Sequence, residues 1–289
     1  MLTVLALAKL NLTLEVLGKR PDGYHEIRSV IQTINLCDSL RFQLSQEVNY
    51  KSNLPDWIPG NSLVSKAVSL LQKTTGYSKG VAIEITKSIP IVSGLGGDSS
   101  GAATTLCGLN KLWGLGLSQR KLLELAAQLG SDVPFFLYGG TALIEDRGEV
   151  VIPLPPLTHM WVVLVVPDVP RLPEKTRQLY ASLKTSHYTD GQITQRLAAE
   201  LRKGKEPSIL FNTFENVAFT LFPRLKVYRD HILKVGAPNV HLAGSGPALF
   251  TLLKDKVRAR ELYTCYRQQK METYLAETLG ESHLPTGYT

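Results

Sequence analysis

Apolar and polar positions alternate over Leu10, Leu12, Leu14 and Val16, and the apolar start Met1 to Leu7 runs straight into that alternation. A period of two predicts a strand. The same period recurs at Val81, Ile83 and Ile85. A helical period appears at Leu63, Val64, Ala67, Val68 and Leu71, with Asn61 or Ser62 placed to cap its start and Gly76 just past its end. Ser99 to Trp113 predicts a second helix, broken by Gly114 and Gly116, and Ser118 opens a third that ends near Gly130. Ser131 and Asp132, followed by Val133 and Pro134, form a further helix start, because Pro is tolerated in a first turn. Thr141 to Ile144 and Val150 to Ile152 read as paired strands, and Met160 to Val166 as a buried one. A helix is predicted near Glu174 to Leu183, and a loop with a further helix in the polar stretch 184–206. A strand-loop-strand unit over Val240 to Leu253 precedes a long terminal helix from about Lys254 to Leu279. Strands and helices mixed without regular alternation predict an α+β fold. Pro153, Pro155 and Pro156 mark the boundary between two expected domains, 1–155 and 156–289.

Composition narrows the class. The chain has 289 residues, 44% hydrophobic and 20% charged, within the range of ordinary globular proteins. No apolar run reaches the roughly 18 residues of a membrane span, and neither a signal peptide nor a transit segment is evident. Three cysteines spread over the chain, Cys37, Cys107 and Cys265, suit a reducing compartment better than a disulfide framework, and the expected setting is cytoplasmic. The net charge of +7 is uneven, with 14 Lys/Arg against 13 Asp/Glu in residues 1–155 and 18 against 12 beyond them. A basic half suits an anionic ligand. The interleaved aromatic and basic residues of single-strand binders are missing, so nucleic acid is not the expected partner. No Cys/His group has metal-ligand spacing.

The stretch Pro90 to Ala103, P-I-V-S-G-L-G-G-D-S-S-G-A-A, is the strongest chemical signal. Glycines allow close backbone approach, and the first N–H groups of the helix that follows have no partner within it. Such a junction binds phosphate. It is not a Walker A loop, since Asp98 stands where Lys is required. Nor is it a dinucleotide fingerprint, since the third glycine is missing.

The loop resembles the signature P-x-x-x-G-L-G-S/G-S-S-A of the GHMP kinases, through Pro90, Gly94, Leu95, Gly96, Gly97, Ser99 and Ser100. Ala8-Lys9-Leu10-Asn11-Leu12 is similar to the family's first motif, and Leu242 to Pro247, L-A-G-S-G-P, to its third. The segments Gly18 to Ile27, Leu129 to Phe136 and Phe211 to Glu215 resemble one branch, which phosphorylates a cytidine-diphosphate-linked sugar alcohol in isoprenoid synthesis. The resemblance implies a domain like the second domain of ribosomal protein S5, followed by a ferredoxin-like domain. It also implies ATP and Mg²⁺, a monomer or weak homodimer, and a kinase reaction with no membrane partner. Two other readings remain: a family kinase acting on homoserine or mevalonate, and a relative that keeps the fold but binds RNA.

The resemblance assigns Asp132 as the base that accepts the hydroxyl proton, although Asp also fills a helix N-cap well. It pairs Lys9 with Asp132, where the plain alternative is a strand-edge charge with its head in water. Phosphate contacts are expected from Pro90, Ser93, Gly94, Leu95, Gly96, Gly97, Asp98, Ser99 and Ser100, with Asn61 and Lys66 beside the adenine. Tyr24 and His25 are expected at the cytosine, one by stacking and one at the base edge, on a turn set by Pro21, Asp22 and Gly23. Tyr180 is either the second stacking ring or a core residue of its helix. Asn11, Gly244 and Ser245 complete the expected substrate contacts. Ser93, Asp98 and Gly101 depart from the common pattern, and Asp98 is expected to face Mg²⁺ or a basic side chain.

Overall fold

A computed structural model describes residues 1–55, 57–170 and 174–280. The end of the expected second domain, 281–289, lies outside the described residues. The chain forms two sheets with helices on their faces. The first sheet is built on two long strands, β1 (Leu2–Lys19) and β2 (His25–Ser45), which pair antiparallel around the turn at Pro21 to Gly23. Then follow β3 (Asn49–Ser52), α1 (Leu63–Thr75), β4 (Gly80–Thr86), α2 (Gly97–Leu112), α3 (Gln119–Leu129), α4 (Val133–Phe136), β5 (Thr141–Glu145) and β6 (Val150–Pro153). The strand order is β3-β4-β2-β1, with β5 and β6 continuing from β2.

The second half starts with β7 (Trp161–Val166) and continues through α5 (Lys175–Ser182), α6 (Gln192–Arg202), β8 (Phe211–Asn212), α7 (Glu215–Leu221) and α8 (Pro223–Lys234). It closes with β9 (His241–Leu242), β10 (Leu249–Leu253), α9 (Lys256–Gln268) and β11 (Glu272–Glu277). The second sheet has the order β11-β7-β10-β9, antiparallel throughout. Numbered by position in the chain, that is 4-1-3-2, the ferredoxin-like arrangement. The halves are knitted together, since β8 pairs with β1 and α6 packs on β1 and β2.

Local chemistry accounts for the helices. Ser62 and Ser118 accept hydrogen bonds from Val64 N and Lys121 N, and Gly76 closes α1 in the left-handed conformation. Helix α2 is buried continuously from Ser100 to Asn110 and threads between α1 and the sheet. Small residues make that possible. A Cβ on Gly101 would stand 3.2 Å from Val64 Cγ2, so Gly101 is a packing residue beneath the loop.

Two features depart from the sequence reading. The terminal helix stops at Gln268, and residues 272–277 return as β11 beside β7. The turn is made by Lys270 at φ +62°, and E-T-Y-L-A-E then pairs with β7 as the edge strand of the second sheet. Strand β2 was not marked by alternation, because residues 29–34 are buried on both faces. The cysteines are free, and no described helix is long and apolar enough to cross a membrane.

Candidate active site

Three segments far apart in sequence meet at one point. Strand β1 carries Lys9 with its side chain in the interior, only 4% exposed. Lys9 Nζ donates to Asn11 Oδ1 at 2.7 Å and lies 3.3 Å from Asp132 Oδ2. Asn11 in turn donates to Ser29 Oγ at 2.8 Å, so the ammonium sits on a fixed polar chain. A buried cation is tolerated only when paired. Asp132 occupies the cap position of α4, yet its side chain makes no capping bond. Its carboxylate, 37% exposed, is aimed at Lys9 and open on its other side. Neither the strand-edge reading of Lys9 nor the capping reading of Asp132 survives this geometry.

The glycine loop packs against the same point. Lys9 N donates to Leu95 O, and the Leu95 side chain is buried in the core, so Leu95, expected among the phosphate contacts, lines neither cavity described below and instead ties the loop to β1. Gly94, at φ +86°, passes so close to the third glycine segment that a Cβ would stand 1.9 Å from Ala243 O. No side chain fits there. Ala248 N donates to Ser93 O, and the Ser93 hydroxyl donates to Pro90 O, so that hydroxyl closes the turn. A Cβ on Gly244 would lie 3.1 Å from Lys9 Nζ, which puts the third segment over the pair. Asn212 holds that segment by donating to Leu242 O and Gly244 O, and Glu215 accepts from Leu242 N. Ser245 Oγ meets Thr176 Oγ1 of α5 at 2.8 Å. Lys175 is buried beside it and donates to Gly246 O; burial lowers its pKa to about 7.

A cavity of about 820 Å³ runs from Lys9, Asn11, Asp132, Gly94, Gly96 and Ser99 to an aromatic end at Tyr24, His25 and Tyr180. There His25 stacks on Tyr180 at 4.5 Å and 20°, and Tyr180 meets Phe214 edge-on at 4.8 Å. One face of each ring expected to stack is thus covered, Tyr180 by His25 and Tyr24 by the Arg147 guanidinium 5.0 Å from its centroid. Burial, and then the charge of Lys19, push His25 below its usual pKa. The imidazole is therefore neutral near pH 7, with one donor and one acceptor.

A smaller cavity of about 150 Å³ lies on the other side of the loop, lined by Pro90, Ser93, Gly94, Gly96, Gly97, Asp98, Ser99 and by Lys87. Lys87 and its partner Asp38 were not found in the sequence. Asp38 is 1% exposed and accepts from Lys87 Nζ at 2.5 Å, from Ser88 N and from Ile89 N, which pins the entry to the loop. The residues stand 49 positions apart on β2 and beyond β4, and neither belongs to a motif. Lys19, Arg147 and Arg177 also line the large cavity and were not singled out. Ser100 is buried on α2 and lines neither cavity, leaving half-buried Ser99, which lines both, as the available residue of the pair. Asn61 and Lys66, at the exposed start of α1, line neither one.

The family models for the GHMP kinases N terminal domain and the GHMP kinases C terminal domain match residues 62–140 and 195–272. A 4-diphosphocytidyl-2-C-methyl-D-erythritol kinase of Dehalococcoides mccartyi is 53% identical over 281 residues, 97% of this chain and 99% of that one. A crystal structure of a 4-(cytidine 5'-diphospho)-2C-methyl-D-erythritol kinase superposes with a TM-score of 0.82 at 32% identity, covering 96% of this chain and all of the other. A homoserine kinase from Cytophaga hutchinsonii shares the fold, with a TM-score of 0.69 at 19% identity over 97% and 96% of the two chains. The Lys9–Asp132 pair, where β1, the glycine loop and the third glycine segment converge, thus stands in a chain that belongs to the GHMP kinase family, alongside the 4-diphosphocytidyl-2-C-methyl-D-erythritol kinases.

Proposed function

We propose that this chain transfers the γ-phosphoryl group of ATP to the 2-hydroxyl of 4-diphosphocytidyl-2-C-methyl-D-erythritol, giving the 2-phosphate and ADP in the methylerythritol phosphate route to isoprenoids. The observation that carries this reading is the single cavity joining the glycine loop and the Lys9–Asp132 pair to the aromatic end with His25 and Tyr180. The triphosphate fits the loop backbone and Lys87, and the cytosine fits the aromatic end, where neutral His25 offers both a donor and an acceptor to the base edge.

In phosphoryl transfer, catalysis is mostly positioning and charge stabilisation. Asp132 orients the 2-hydroxyl and accepts its proton as the new O–P bond forms. The bond between the γ-phosphorus and the bridging oxygen breaks, and ADP leaves with that electron pair. Lys9 stabilises the charge gathering on the transferring group and, through Asn11, is held from drifting. Mg²⁺ fits the donor set beside the loop. No group of three or more acidic, His or Cys ligands is present among the described residues. The Asp98 carboxylate and Ser99 hydroxyl nonetheless face the loop cavity. Mg²⁺ is commonly held by one or two protein oxygens together with substrate phosphates. When bound there, it neutralises phosphate charge.

A coupled ADP-release assay with an acceptor panel tests the proposal. Turnover with the diphosphocytidyl acceptor and none with homoserine or mevalonate is expected. Equal turnover of homoserine would overturn it.

A further inference from the structure

Asp98 is an acidic residue on the rim of a site that has to take a polyanion. Its carboxylate is 65% exposed and lies 3.6 Å from Lys87 Nζ. Lys87 is 7% exposed at its side chain and is anchored from behind by Asp38, whose two oxygens are filled by Lys87 and by two backbone N–H groups. One ammonium proton is therefore held by Asp38, and Asp98 lies within ion-pair distance of the same nitrogen on the loop side. A Cβ on Gly97 would stand 3.4 Å from Lys87 Nζ, so the ammonium lies against the first turn of α2. That turn favours negative charge. The carboxylate of Asp98 sits at its second position. A phosphate entering the loop would seek the same ammonium and the same helix end, and Asp98 would repel it.

We propose, on the ATP-binding reading above, that Asp98 makes this chain select the magnesium complex of ATP over the free nucleotide. A divalent cation would let Asp98 face the phosphates as a ligand, releasing Lys87 to them. Without the cation, the carboxylate holds Lys87 and opposes a more highly charged triphosphate.

The test is binding of the non-hydrolysable imido analogue of ATP to the whole protein by calorimetry, in excess Mg²⁺ and in EDTA. Wild type is expected to bind the metal-free analogue at least tenfold more weakly, the scale of unit charges a few ångströms apart at a wet surface. In Asp98→Asn and Asp98→Gly, the metal-free analogue is expected to bind roughly tenfold more tightly than to wild type, with the magnesium complex unchanged or weaker. The ratio of the two affinities therefore collapses. A ratio equal to that of wild type in both variants overturns the proposal and leaves the ATP site standing. Equal weakening of both forms assigns Asp98 to loop structure and also overturns it. Wild type that binds neither form overturns the ATP reading together with this one.

Discussion

Asp132→Asn keeps the shape of the side chain and removes its charge and its basicity. Two costs follow. The reaction loses its proton acceptor, worth roughly 10²–10⁴ in rate, or about 3–5 kcal/mol of barrier at 1.36 kcal/mol per decade. The protein also loses the 3.3 Å pair to a lysine that is 4% exposed. Breaking a fully buried pair costs about 3–5 kcal/mol. Asp132 is more than a third exposed and Lys9 retains Asn11, so about 1 kcal/mol is the expected loss of stability. Asp132 lines the large cavity and not the one beside Lys87, so ATP binding should be nearly unchanged. The assay is kcat and the KM of each substrate by coupled ADP release, with calorimetric nucleotide binding and a denaturation curve on the same preparation. A drop in kcat of at least a hundredfold with an unaltered ATP Kd is expected. A kcat within threefold of wild type would refute the reasoning, because no other described carboxylate touches Lys9.

Other outcomes follow from the same structure. Tyr24→Ala removes the ring under Arg147 and should raise the KM of the cytidine substrate with little effect on that of ATP; a change confined to ATP would contradict the pocket. Gly94→Ala forces a Cβ to 1.9 Å from Ala243 O and should abolish activity and lower Tm, whereas a functional variant would mean the loop and the third segment do not meet. His25 titrates below its usual value, so the KM of the cytidine substrate should rise only as pH falls below the ordinary imidazole range, and Lys19→Met should move that limb to higher pH. Lys175 has a folded pKa of about 7, below the 10.5 of the free side chain. The unfolded chain therefore binds the extra proton between these values, and stability should rise with pH across that window. Urea titrations of Lys175→Met should show a flatter dependence there, and an identical slope would refute the assignment.

The fold was legible where one face of an element is wet. The capped stripe of α1 and the alternation of β4 announce themselves. Strand β2 does not, because sheet neighbours and helices cover both faces and register shifts opposite Leu7 and Asn11 break its period. The E-T-Y-L-A-E segment contains good helix formers, and only the turn at Lys270 and pairing with β7 make it a strand. At the site, Lys9 and Asp132 were legible as motif residues and their pairing across 123 positions as what the resemblance implies, but the hold of Asn11 on Lys9 appears only in the fold. Lys87 and Asp38 carry no motif, and nothing in their neighbours betrays the pair. His25 covering Tyr180 is likewise a contact between β2 and α5 that no local pattern encodes.

The central claim is chemical, and phosphorus NMR of the products tests it most directly. With ATP, Mg²⁺ and 4-diphosphocytidyl-2-C-methyl-D-erythritol, a new phosphomonoester resonance should grow in step with ADP while the diphosphate resonances of the acceptor persist. Release of ADP with inorganic phosphate alone, or loss of the acceptor's diphosphate, would contradict it.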